Sequence, residues 1–171
     1  MNQNELEHLH RVIRSLGPVW QSGFDMSEDT IIAPLANGLT DDDFSCAEHS
    51  IGYCLPNEYK EFLRYYGAPF FLGYKLMNIY PRGFSYGGEL PPSDDLVAHY
   101  GLNIKHGLLI PGEVAFLETD ENGIFFYKCR PIGSPNESSC EVYRVFGNDE
   151  DREVFAPSIL SLFARWVVES E

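Results

Sequence analysis

Residues 52–67 read GYCLPNEYKEFLRYYG, and the fold turns on how this stretch is read. Pro56 suits the first helical position, where its missing N–H costs nothing. Glu58 puts negative charge into the first turn, where the helix dipole favours it. Tyr59, Phe62, Leu63 and Tyr66 recur at i, i+3, i+4 and i+7, which is one buried stripe. Lys60, Glu61 and Arg64 take the wetter side, and Gly67 supplies a left-handed stop. The spacing predicts an amphipathic helix docked by two tyrosines and a phenylalanine. Taken alone it is a piece of core with no chemistry of its own.

Upstream, TDDDFSCAEHSIG (residues 40–52) predicts a second helix. Thr40 caps it, with Asp43 three residues on in a box-like arrangement. Phe44, Ala47, Ile51 and Leu55 continue its apolar face. The acidic run Asp41-Asp42-Asp43 is explained by the helix N-terminus, where carboxylates are favoured. Earlier still, a helix is expected over Asn4–Leu16, with Leu6, Leu9, Ile13 and Leu16 on one side and Gly17-Pro18 ending it. The connection that follows has no clean period, and Trp20, Ile31 and Ile32 are expected to pack back onto the body.

Downstream the pattern changes to strands. FFLGYKLMNIYP (70–81) is aromatic and β-branched, bounded by Pro69 and Pro81, and reads as strand. SYGGELPPSDD (85–95) is a polar loop rich in glycine and proline. GLLIPGEVAFLETDENGIFFYKCR (107–130) predicts a short strand and then a hairpin, turned at Asn122-Gly123. CEVYRVFG (140–147) is a further strand, and NDEDREVFAP (148–157) a charged turn with a short edge strand. Ile159, Leu162, Phe163 and Trp166 mark a closing helix. This order predicts an α+β fold: N-terminal helices, a central, mostly antiparallel twisted sheet, and a C-terminal helix packed on it. Residues 1–38 form a helix and connection packed on a domain spanning 39–171, one compact unit in all.

Composition narrows the function. Twenty-six acidic residues against 12 basic ones give a net charge of −14. Such a surface repels phosphate backbones, so nucleic acid is excluded as a partner, and anionic membranes are disfavoured likewise. A basic protein would instead be attracted and steered, although excess acid also serves solubility alone. No apolar run follows the start and no stretch reaches membrane-spanning length, so a cytoplasmic protein is expected. The four cysteines, Cys46, Cys54, Cys129 and Cys140, form no CxxC pair. Reduced, mostly buried thiols are expected rather than a Cys129–Cys140 bridge.

Enzyme signatures fail in turn. There is no GxxxxGK[ST] phosphate loop and no GxSxG elbow. His8 and His10 stand two apart on a helix and point to different sides. His99 and His106 flank a loop with no cysteine or HExxH context. Carboxylates are plentiful, but nothing selects one pair for acid–base work. No catalytic residue, metal or cofactor is expected.

Glu48, Ile51-Gly52, Leu55-Pro56, Tyr59, Phe62-Leu63 and Gly67 together spell E-x-x-I-G-x-x-L-P-x-x-Y-x-x-F-L-x-x-x-G. This pattern resembles the signature of the SUKH superfamily, and within it the Smi/Knr-type domain. LLIPG (108–112) resembles the family's central strand, Asp120 with Gly123 its hairpin, and APSILSLF (156–163) its closing helix. The likeness runs from about Leu39 to Val168. The chain departs from the pattern at Tyr66, and at Pro111-Gly112-Glu113, where the family's glycine-bearing loop is contracted.

The resemblance implies a non-enzymatic α+β domain that binds proteins. In bacteria it implies an immunity protein that neutralises a cognate toxin, commonly a nuclease with a basic surface. The alternative it implies is a regulatory adaptor like the yeast cell-wall-synthesis regulator; a small-molecule-binding domain is a third reading. A binding face is expected from acidic loops and exposed aromatics. Its candidates are Asp94 and Asp95, Glu118, Asp120 and Glu121, Asp149, Glu150 and Asp151, with Tyr86 and Tyr100 as aromatic anchors. Taken singly, each also reads as a turn former or a solvated charge. The chain is expected to be a monomer or weak dimer apart from its toxin.

Overall fold

Helix α1 spans Asp41–Ile51, and its first turn satisfies its own free N–H groups. Thr40 Oγ1 accepts from Asp43 N at 3.3 Å, and Asp43 Oδ2 accepts back from Thr40 N at 2.8 Å. This is the reciprocal box the sequence predicts. Gly52 ends the helix at φ 84°, in the left-handed region where a Cβ is costly. Phe44, Ala47 and Ile51 are buried along one side. Leu55, expected on the same helix, is buried beyond its end, after the two-residue strand β1 (Tyr53–Cys54).

The structure is a computed structural model and describes residues 39–66, 70–71, 74–81, 94–119, 123–146 and 151–169. The helix expected over Asn4–Leu16, its connection, Gly67 and the Asn122 half of the hairpin turn lie outside the described residues. Helix α2 runs Asn57–Tyr66. Pro56 stands just ahead of it, its carbonyl accepting the Lys60 N–H at 3.2 Å. Tyr59, Phe62 and Leu63 are wholly buried, as their spacing demands.

Strands β2 (Phe70–Phe71), β3 (Tyr74–Leu76), β4 (Glu113–Thr119), β5 (Gly123–Lys128), β7 (Val142–Phe146) and β8 (Glu153–Ala156) form one six-stranded sheet in that spatial order. Every neighbouring pair is antiparallel. Strand β6 (Arg130–Pro131) pairs separately with β1 in a small ribbon. Helix α3 (Leu96–Lys105) leads into β4, and helix α4 (Ile159–Glu169) closes the described chain. The class is α+β.

Three expectations need correction. Residues 70–81, read as strand throughout, hold two short strands, β2 and β3, paired antiparallel, and 77–81 lie outside both. Residues 107–112 are turns, not a strand: Gly107 at φ 70° and Gly112 at φ 92° bend the chain. The central strand begins only at Glu113. Residues 96–105, read as part of a loop, are helical.

The two faces of the sheet are covered differently. Val114, Phe116, Leu117, Phe125, Tyr127 and Val142 pack against α1, α2 and α4 in the main core. Phe62 stacks on Phe163 at 5.3 Å, and the Tyr59 ring lies 5.7 Å from Phe116 and 5.6 Å from Tyr127. Such aromatic pairs add about 1 kcal/mol beyond the area they bury. On the other face Ala115, Ile124, Phe126 and Val145 form a smaller cluster under Leu109, with Ile104 and Leu108 packed against it.

Candidate protein-binding surface

The signature residues build the frame. Glu48 Oε1 accepts the Leu55 N–H at 2.8 Å and Lys60 Nζ at 3.1 Å. One carboxylate therefore ties the end of α1 to the start of α2. Tyr59 takes a different partner: its hydroxyl donates to the Met77 carbonyl at 2.6 Å, anchoring α2 to the segment after β3. Burial raises the Tyr59 pKa well above the usual phenol value. Leu55 and Pro56 are buried between the two helices. These groups hold the protein together and leave little to offer a partner.

The acidic candidates separate once placed. Asp94 and Asp95, expected in an exposed loop, are each only 8% exposed. Tyr80 Oη donates to Asp94 Oδ1 at 2.8 Å, and Asp95 caps α3 by accepting the Ala98 N–H at 3.0 Å. The Asp94 carboxylate is committed to Tyr80 and that of Asp95 to starting the helix, so neither stands free in an exposed loop. Glu118 sits on β4 facing α3. Its Oε1 is 3.0 Å from His99 Nδ1 and 3.5 Å from Asn103 Nδ2, and its Oε2 is 3.9 Å from Lys75 Nζ. Burial alone would raise the Glu118 pKa, but His99, Lys75 and Asn103 outweigh it and hold the carboxyl below its ordinary value.

Tyr100 is half-buried on α3. Its hydroxyl lies 3.4 Å from the Gly112 N–H, and its ring 6.2 Å from Tyr53. Tyr53 lies across Gly112: a Cβ there would come within 3.2 Å of its ring. Tyr86, Asp120, Glu121, Asp149 and Glu150 lie outside the described residues, while Asp151 is exposed.

Sheet register nonetheless brings the ends of three strands to one place. Gly123 pairs with Phe146, so the start of β5 adjoins the end of β7. Thr119 and Gly123 bracket Asp120 and Glu121 in the chain; Phe146 and Asp151 bracket Asp149 and Glu150. Thr119, Gly123 and Phe146 stand towards the same end of the sheet, and Phe146 there is 42% exposed. Sequence reading missed Phe146, because it takes its place in a strand pattern like any core residue.

A groove of about 560 Å³ lies beside α1, lined by Cys46, His49, Tyr80 and Asp95 among others. Asp43 and Asp95 in its wall already serve as helix caps. All four cysteines carry free thiols, and burial pushes Cys129 up to about 12. Among the described residues, no group of three or more His, Cys, Asp or Glu is placed to hold a metal ion, and no helix is long and apolar enough to cross a membrane. Residues 38–165 match the family described as SMI1 / KNR4 family (SUKH-1). Comparison with curated proteins gives no match.

Proposed function

Because the chain belongs to the SMI1 / KNR4 family (SUKH-1), we propose that it is a non-enzymatic protein-binding domain, an immunity protein that neutralises a cognate toxin by direct binding in the cytoplasm. The observation that carries this reading is the charge of −14. A nuclease grips phosphates with basic side chains, and an acidic inhibitor covers such a surface while being steered towards it. Neutralisation then needs no chemistry, only occupancy of the toxin's working face.

The test is co-expression in a heterologous host with the toxin domain encoded beside the chain's gene. The expected result is restored growth and a one-to-one complex on co-purification. Growth arrest that persists at equal expression would overturn the immunity reading. A stable complex with a partner that has no toxicity would instead favour the regulatory adaptor.

A further inference from the structure

We propose that His99 is an acid-sensitive latch between α3 and the sheet: neutral, it holds Lys75 of β3; protonated, it releases Lys75 and keeps Glu118 of β4. Lys75 and Glu118 face each other in register across neighbouring strands. Their charged atoms nonetheless stop 3.9 Å apart, too far for a hydrogen bond. The His99 ring, carried by α3, meets both of them. Its Nε2 lies 3.0 Å from Lys75 Nζ, and its Nδ1 lies 3.0 Å from Glu118 Oε1.

Valence decides where the proton sits. A lysine ammonium has three donors and no acceptor, so the 3.0 Å contact is a hydrogen bond only if Nε2 offers its lone pair. A neutral imidazole with a bare Nε2 carries its proton on Nδ1, the nitrogen that faces the carboxylate. A second proton can then go only to Nε2. It would replace the lone pair that Lys75 uses with an N–H, and set two cations against each other at 3.0 Å. At the other nitrogen the same proton gives Glu118 a full positive charge to face, so that contact tightens. Lys75 has room to leave, since its side chain is 26% exposed. Helix α3 stays attached meanwhile, because Asn103 Nδ2 also reaches Glu118, at 3.5 Å, from one turn beyond His99. The other titratable groups lie around this trio. Asp95 caps α3 one turn before His99, Lys105 closes its last turn, and from α1 Asp43 and His49 line the groove that they share with Asp95.

Two measurements on the free chain test the latch. Nitrogen NMR of the isotopically labelled chain reads the His99 tautomer and its protonation, and crystals of wild type and His99→Gln at neutral and mildly acidic pH read the contacts. The expected result is an Nδ1–H tautomer at neutral pH, with loss of the Lys75 contact and retention of the Glu118 contact once His99 is doubly protonated. His99→Gln accepts through its amide oxygen and does not titrate, so it should hold Lys75 at both pH values. An Nε2–H tautomer at neutral pH would overturn the proposal. So would a Lys75 contact that survives double protonation, or a ring that stays neutral until the chain unfolds in acid. Release of Lys75 by acid in His99→Gln as well would show that another group is the sensor.

Discussion

At the scale of the residue, Glu48 shows how a signature position earns its place by connecting elements. Its carboxylate accepts a buried backbone N–H that Leu55 cannot satisfy within either helix, because Leu55 lies between them. Glu48→Ala is expected to cost about 1–3 kcal/mol, the range for leaving a buried donor without its acceptor. Partner affinity should be unchanged, since the group is turned inward. Thermal melting beside titration with the partner checks this; unchanged melting with lost affinity would move Glu48 to the interface. The sequence identifies Glu48 as a structural carboxylate from its position beside the apolar stripe, but it places the group near Tyr59. The true acceptor for Tyr59 is the Met77 carbonyl, 18 residues on. A partner that distant is set by how β3 docks, and no local spacing encodes it. The thiols make a second residue-scale prediction. Cys129, buried and shifted up to about 12, should resist iodoacetamide in the native state, while exposed Cys46 reacts. Mass spectrometry of partly alkylated native protein locates the label; early labelling of Cys129 would mean that the core around it opens readily.

At the scale of the element, α3 is the lesson in what sequence hides. The buried stripes of α1, α2 and α4 are legible because each helix has one apolar side and the sheet takes it. Helix α3 buries only Leu96 and Asn103 along its length. It packs against α1 and β4 and carries Gly101 in its middle, so its periodicity is faint. Its start signal was present in Asp95, three residues before Ala98, but a glycine- and proline-rich stretch precedes it and made the segment read as loop. What fixes α3 instead is polar: Glu118 reaches it from β4 through His99 and Asn103, with Lys75 alongside. The Glu118 carboxyl sits below its ordinary value, so the folded state favours the ionised form. Its contribution is therefore complete above the unfolded carboxyl pKa and fades as pH falls through the lower folded value. Glu118→Gln is expected to lose about 1–2 kcal/mol near neutral pH, as for a charge-assisted hydrogen bond. The gap to wild type should close on acidification below the ordinary glutamate range. Urea unfolding at a neutral and an acidic pH measures it; a gap that stays constant would mean that Glu118 acts by packing and not by charge.

At the scale of the whole molecule, the binding face divides what composition encodes from what only topology reveals. The acidic runs at residues 118–121 and 149–153 stand out in the sequence, but nothing local says that they belong together. Pairing β5 with β4 and β7 puts Thr119, Gly123 and Phe146 towards one end of the sheet. The same folding turns Asp94 and Asp95 inward, so an acidic residue's neighbours along the chain predict its role poorly. A consequence for rates follows. Long-range attraction acts on the encounter and is screened by salt, with a Debye length of about 8 Å at physiological ionic strength. Contacts made after docking act on escape. Reversing four charges, Asp120, Glu121, Asp149 and Glu150, to lysine should slow association with a basic toxin domain by about tenfold or more at low salt. Raising the salt should shrink that difference, because wild type loses its steering while the variant has none to lose. Stopped-flow mixing across a salt series measures that difference. Equal association rates for wild type and the reversed variant at low salt would mean that the charge of −14 serves solubility alone.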